Sequence, residues 1–193
     1  PPSSKSPASV EPRKETAIED SSLTLHCDIE AYPMPEISWF HNGEQIIISG
    51  RISTTTFGTV LTIQDSLPSD SGDWQCVAKN PAGSLSASFI VDIWSPPTPL
   101  TEMTTQTIPV IGGETLTLDC PVKGNPEPKL EWLRGSVPIS SILDNRYQIQ
   151  KQGEKLKLIG VTLFDSASFK CVAYNDVGMT SMTFGLDVRT IPK

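Results

Sequence analysis

Asp70-Ser71-Gly72-Asp73-Trp74-Gln75-Cys76-Val77-Ala78-Lys79-Asn80-Pro81-Ala82-Gly83 decides the fold, because it returns 95 residues later. The second copy reads Asp165-Ser166-Ala167-Ser168-Phe169-Lys170-Cys171-Val172-Ala173-Tyr174-Asn175-Asp176-Val177-Gly178. Trp74, Cys76 and Ala78, like Phe169, Cys171 and Ala173, fall on every second position, the period of a strand with one buried face. Asn-x-x-Gly closes each stretch as a hairpin turn, with glycine expected in the left-handed position. Moving outward, Leu23, Leu25, Cys27 and Ile29 alternate with polar neighbours, as do Leu116, Leu118, Cys120 and Val122. Cys27 to Trp39 and Cys120 to Trp132 are both 12 residues, the cysteines of each copy are 49 and 51 apart, and the copies are offset by 93. A repeat of that length is one whole domain, so the chain reads as two copies of one fold. Short strands at regular spacing, separated by Gly/Pro/Asn/Asp turns and without a sustained helical period, predict a two-sheet sandwich.

The chain has 193 residues and four cysteines, two per copy. A domain of this size buries a modest core, and one intradomain disulfide in each copy would staple it. Such bridges place the protein outside the cell or on its surface; two reduced Cys pairs in an intracellular copy of the same fold are the alternative. The net charge of −7 lies in the first half: residues 1–95 hold 5 Lys/Arg against 12 Asp/Glu, and residues 96–193 hold 10 against 10. This acidity argues against nucleic acid or anionic lipid as a partner. No apolar run approaches the ~20 residues of a membrane span. The chain opens Pro1-Pro2-Ser3-Ser4 and closes Ile191-Pro192-Lys193, as a piece of something longer would. The expected division is a disordered linker over residues 1–6, a domain over 7–94, a stiff Pro-rich linker over 95–99 that stops strand continuation, and a domain over 100–190.

These residues resemble immunoglobulin domains of the I-set, whose pattern before the second cysteine is Asp-x-Gly-x-Tyr-x-Cys-x-Ala-x-Asn-x-x-Gly. The Pro-x-Pro turn typical of the set stands at Pro33-Met34-Pro35 and Pro126-Glu127-Pro128. The resemblance implies an all-β chain of two tandem antiparallel immunoglobulin-like (I-set) sandwiches joined by a short Pro-rich linker. It covers about Val10 to Val188 and implies bridges Cys27–Cys76 and Cys120–Cys171 with Trp39, Trp132, Trp74 and Phe169 in the cores. The sequence departs from the pattern twice. The corner tyrosine is Trp74 in one copy and Phe169 in the other, so each corner is expected to lose a hydrogen bond worth ~1 kcal/mol. Ala167 replaces glycine, which implies no positive φ at that place. Arg51 lies 19 residues before Asp70, and Arg146 lies 19 before Asp165, which predicts a matched structural ion pair in each domain.

The search for chemistry identifies no catalytic constellation, metal-ligand set or cofactor motif, and the scaffold is expected to bind rather than to catalyse. The Ig arrays of cell-adhesion proteins, receptor ectodomains and hemicentin-like matrix proteins are similar in texture. They imply homophilic or heterophilic protein binding at strand faces and hairpin loops. Two other readings remain: an intracellular structural pair of a titin-like muscle protein, and a secreted binder of a growth factor or peptide hormone. Trp94 is the candidate for domain-junction packing or for a partner contact. Lys151, Lys155 and Lys157 form a basic strand face suited to a sulfated glycan or an acidic partner, or one that is simply solvated. Asn42, Asn80, Asn125, Asn145 and Asn175 all lack the Asn-x-Ser/Thr sequon, so neither sheet face is marked for sugar.

Overall fold

The computed structural model describes residues 3–4, 11–48, 50–102 and 106–190, and the chain divides into two units, Pro1–Trp94 and Ser95–Lys193. The strands of the first unit are β1 (Ser3–Ser4), β2 (Arg13–Ile18), β3 (Leu23–His26), β4 (Ile29–Glu30), β5 (Glu36–His41), β6 (Glu44–Gln45), β7 (Ile52–Thr54), β8 (Val60–Ile63), β9 (Gly72–Asn80) and β10 (Gly83–Pro99) as far as Trp94, its residues 95–99 belonging to the second unit. Those of the second are β11 (Gln106–Ile111), β12 (Leu116–Asp119), β13 (Val122–Asn125), β14 (Lys129–Arg134), β15 (Val137–Pro138), β16 (Tyr147–Gln150), β17 (Lys155–Leu158), β18 (Ser168–Tyr174) and β19 (Met179–Arg189).

Each unit is a sandwich of two sheets. In the first, β6, β5, β9 and β10 pack against β3, β8 and β7; in the second, β15, β14, β18 and β19 pack against β12, β17 and β16. The sheets are antiparallel except for one added strand per unit. β2 runs parallel to β10 (Phe89 opposite Arg13, Trp94 opposite Ile18), and β11 runs parallel to β19 (Gln106 opposite Phe184). Apolar side chains at alternate positions fill the space between the sheets, as in the buried Leu23 and Leu25 of β3 and the buried Leu156 and Leu158 of β17. Among the described residues, thirteen buried side chains cluster in each core. A core that small leaves little margin over chain entropy, and a cross-link adds much to it.

The ends of the expected division differ from the structure. The N-terminal linker falls outside the described residues except at Ser3–Ser4, which pair antiparallel with Glu30 and Ile29 rather than remaining unstructured. The Pro-rich segment 95–99 does not interrupt the strand: it is the last part of β10, opposite β13 at Ser95/Asn125, Thr98/Lys123 and Pro99/Val122. Proline is tolerated there because an edge position has a side on which no backbone N–H is required. A register shift between Ser95 and Thr98 absorbs the intervening Pro96 and Pro97.

Candidate functional site

The cysteines form Cys27–Cys76 and Cys120–Cys171, with Cα separations of 6.0 and 6.3 Å, and the described residues contain no free cysteine. Trp39 and Trp132 lie directly across the ladder from Cys76 and Cys171, each buried beside its bridge. Their indole N–H groups donate to Gly58 O at 2.8 Å and Gly153 O at 2.7 Å. Each ring also meets a phenylalanine, Phe89 at 5.8 Å and Phe184 at 5.7 Å between centroids.

The structure brings Arg51 to Asp70 in a two-pronged pair, Nη1–Oδ2 at 2.6 Å and Nη2–Oδ1 at 2.7 Å. Burial pushes the Asp70 carboxyl up, but hydrogen bonds from Arg51 and the Leu67 N–H outweigh it and hold the group below the usual carboxylate range. In the second domain Arg146 Nη1 meets Asp165 Oδ2 at 2.8 Å, while its Nη2 meets Asp144 Oδ2 at 2.7 Å. Asp165 also accepts from the Tyr147 hydroxyl and, at 2.8 and 2.9 Å, from the Thr162 N–H and hydroxyl. Burial would raise this carboxyl; its donors Tyr147, Arg146 and Thr162 instead hold it at about 2. Burial, and then the bond to Asp165, push the Tyr147 hydroxyl up to about 12.

The two corners are closed differently, and one differs from expectation. Trp74 does not forgo the corner bond, because its indole Nε1 donates to Asp70 O at 2.9 Å. Phe169 makes no such bond, but Tyr147, 6.2 Å from its ring, carries a hydroxyl to Asp165 from another strand. The glycine departure also resolves as a pair. Gly72 has φ of +129°, and a Cβ there would lie 2.5 Å from Asn42 Oδ1, which accepts the Asp73 N–H. Where Ala167 stands in the second copy without positive φ, Gly135 stands in place of Asn42. The hairpin glycines differ: Gly83 has φ of +149°, inside the positive region that favours glycine, whereas Gly178 has no positive φ. Side chains also hold these turns. Asn80 donates to Pro33 O and accepts from Ala82, and Asn175 donates to Pro126 O and Ser95 O and accepts from Val177 and Gly178.

Trp94 is half-buried opposite Ile18, and its Nε1 donates to Asp92 Oδ2 at 2.8 Å. Of the basic residues, Lys155 is ion-paired with Asp119, Lys157 lies beside it on β17 opposite Thr117, and Lys151 is exposed on a short 3-10 turn. The basic face is therefore partly neutralised by its own strand neighbour.

The surface feature that sequence reading missed is an open hollow of about 550 Å³ at one end of the first domain, lined by Ile29, Tyr32, Met34, Pro35, Ile37 and Phe57 with Glu30 at its rim. Tyr32 is 92% exposed, Met34 65% and Phe57 60%. The second domain has the same hollow, of about 390 Å³, between Val122, Pro128, Leu130 and Gln152. Its equivalence is fixed by the tryptophan–glycine bonds, and by Gly58 crowding Ile37 as Gly153 crowds Leu130. At the matching positions Tyr32 becomes Asn125, Met34 becomes Glu127 and Phe57 becomes Gln152, while Glu30 and Glu36 become Lys123 and Lys129. The second domain folds with polar residues at all three places, so folding does not demand the apolar ones. Large exposed apolar side chains that folding does not require make the hollow the candidate interaction surface of the first domain. A signal was present in the sequence: the two Pro-x-Pro loops could be compared residue by residue.

The immunoglobulin I-set domain model matches residues 7–93 and 99–188. Hemicentin-1 of Mus musculus is 33% identical over 178 residues, which are 92% of this chain and 3% of hemicentin-1. Neuroglian of Drosophila melanogaster is 31% identical over 170 residues, 87% of this chain and 13% of neuroglian. The chain thus spans a small fraction of the length of these curated relatives. Among solved structures, the titin fragment A168169 is 26% identical with a TM-score of 0.70, covering 97% of this chain and 98% of the fragment.

Proposed function

The chain belongs to the immunoglobulin I-set family, and from that premise we propose that it is a non-enzymatic protein-binding module of a larger extracellular protein, acting in adhesion, receptor recognition or matrix assembly. The observation that carries this reading is the apolar hollow of Tyr32, Met34 and Phe57, set against its polar twin in the second domain. Protein interfaces are anchored by aromatic and methionine side chains that enter well-packed pockets when a partner covers them. The two disulfides suit an oxidising compartment, and the similarity to hemicentin-1 and neuroglian supports the same placement.

The test is to immobilise the pair and present it with a panel of cell-surface and matrix proteins, itself included. Retention of at least one, lost on Met34→Asp or Phe57→Asp, is expected. Retention of none, or binding indifferent to both substitutions, refutes the reading. The likeness to a titin fragment of nearly the same length supports a second reading, an intracellular structural pair. Thiol titration on denatured protein taken from its native compartment separates the two. Four reactive thiols would establish the intracellular role, and none the extracellular one.

A further inference from the structure

The second domain carries an apolar feature of the opposite shape. The 3-10 turn Leu163–Asp165 projects Leu163, 59% exposed, and Phe164, 86% exposed. The backbone behind them is fixed. Asp165 is buried and accepts from Thr162, Arg146 and Tyr147, and Phe164 O accepts from Arg134 Nη2. The matching turn of the first domain has Pro68 and Ser69 at these two positions. One domain therefore has the apolar hollow and the other the apolar projection. Both versions of each feature fold, so folding requires neither to be apolar.

We infer that the Leu163-Phe164 projection of one copy of this chain docks into the Tyr32–Met34–Phe57 hollow of another copy. This rests on the binding reading above and names its partner. Charge selects this pairing over hollow against hollow. The first domain has a net charge of −7 (5 − 12), so two first domains repel, whereas the second is neutral (10 − 10) and opposes nothing. Arg134, held beside Phe164, would bring a positive charge towards the acidic first domain. The contact joins two different surfaces, so copies either close as a reciprocal pair, each hollow taking the other's projection, or add head to tail into longer chains. Two or three anchoring side chains on each face make a small interface, of the weak and transient kind.

Sedimentation equilibrium of the whole pair, loaded from roughly 10 µM to 1 mM, is the test, since small interfaces assemble in that range. The native chain is expected to associate into dimers or larger species as concentration rises, while Phe57→Asp and Phe164→Asp are each monomeric. Mixed in equal amounts, the two variants should form dimers and nothing larger, because one intact hollow then meets one intact projection. If either variant melts well below the native chain, Met34→Asp and Leu163→Asp replace it. A monomeric native chain at the highest loading, variants that still assemble, or a mixture that stays monomeric would each overturn the inference. A monomeric chain that still retains a foreign partner on the panel removes self-docking and leaves the binding reading standing.

Discussion

Asp165→Asn keeps the shape of a buried side chain and removes its charge. The carboxyl sits at about 2 in the folded domain, against 3.8 for a free side chain. At about 1.36 kcal/mol per pH unit, that gap is worth on the order of 2 kcal/mol at neutral pH. The side chain is 1% exposed, so solvent screening takes little from this value. Because the folded group is the stronger acid, its contribution is complete well above 3.8 and is lost as the pH falls towards 2. The variant lacks this dependence. In urea unfolding, its deficit relative to the native chain should therefore narrow by roughly 1.5 kcal/mol between neutral pH and about pH 2.5. The deficit at neutral pH exceeds the titrating part, because the Thr162 and Tyr147 donors keep only a weaker, uncharged acceptor. All other carboxylates are common to both proteins and cancel in the difference. A deficit of the same size at both pH values would show that Asp165 acts through shape alone, and the reasoning would fail.

Tyr147→Phe removes one of the donors that hold Asp165 down, so NMR titration should show that carboxyl ionising above its native value of about 2; an unchanged value would discount the hydroxyl. Gly72→Ala should cost about 2 kcal/mol, from positive φ and the approach to Asn42. Pairing it with Asn42→Gly, the arrangement of the second domain, should recover about 1 kcal/mol in a double-mutant cycle, and strict additivity would refute the coupling. Replacing Cys27 and Cys76 together by alanine opens a loop of sequence separation 49. Calorimetry should then show the first domain destabilised by roughly 4 kcal/mol with the second domain's transition unmoved.

The fold was legible because its evidence is one-dimensional and stated twice. Alternation around Cys76 and Cys171 gives strands, and the recurring Cys–Trp interval gives the repeat. What each copy does alone was not legible. Tyr147 and Asp144 complete the ion-pair network of the second domain only, since Ile52 stands where Tyr147 would be, so no repeated interval announces them. Turn chemistry places an asparagine and a glycine in each hairpin, but it does not reveal that Asn80 and Asn175 form long-range clamps to the Pro-x-Pro loops. Prolines 96, 97 and 99 suggested a break because strand propensity ignores whether a position lies at an edge. The hollow escaped because exposure belongs to the folded chain: Met34 and Phe57 are 23 residues apart and meet only when their loops close.

The parallel strands β2 and β11 bear on how such modules avoid fusing with their neighbours. Each covers the long strand beside it and becomes the rim of its sheet. The rim of the first domain opens Arg13-Lys14-Glu15, and that of the second contains Pro109. The opposite rims, β6 and β15, are two residues long, and β15 contains Pro138. Charged, proline-bearing or very short borders are poor templates for intermolecular cross-β growth. Where many look-alike modules share one polypeptide and fold at high local concentration, such borders keep each nascent sheet from capturing its sibling.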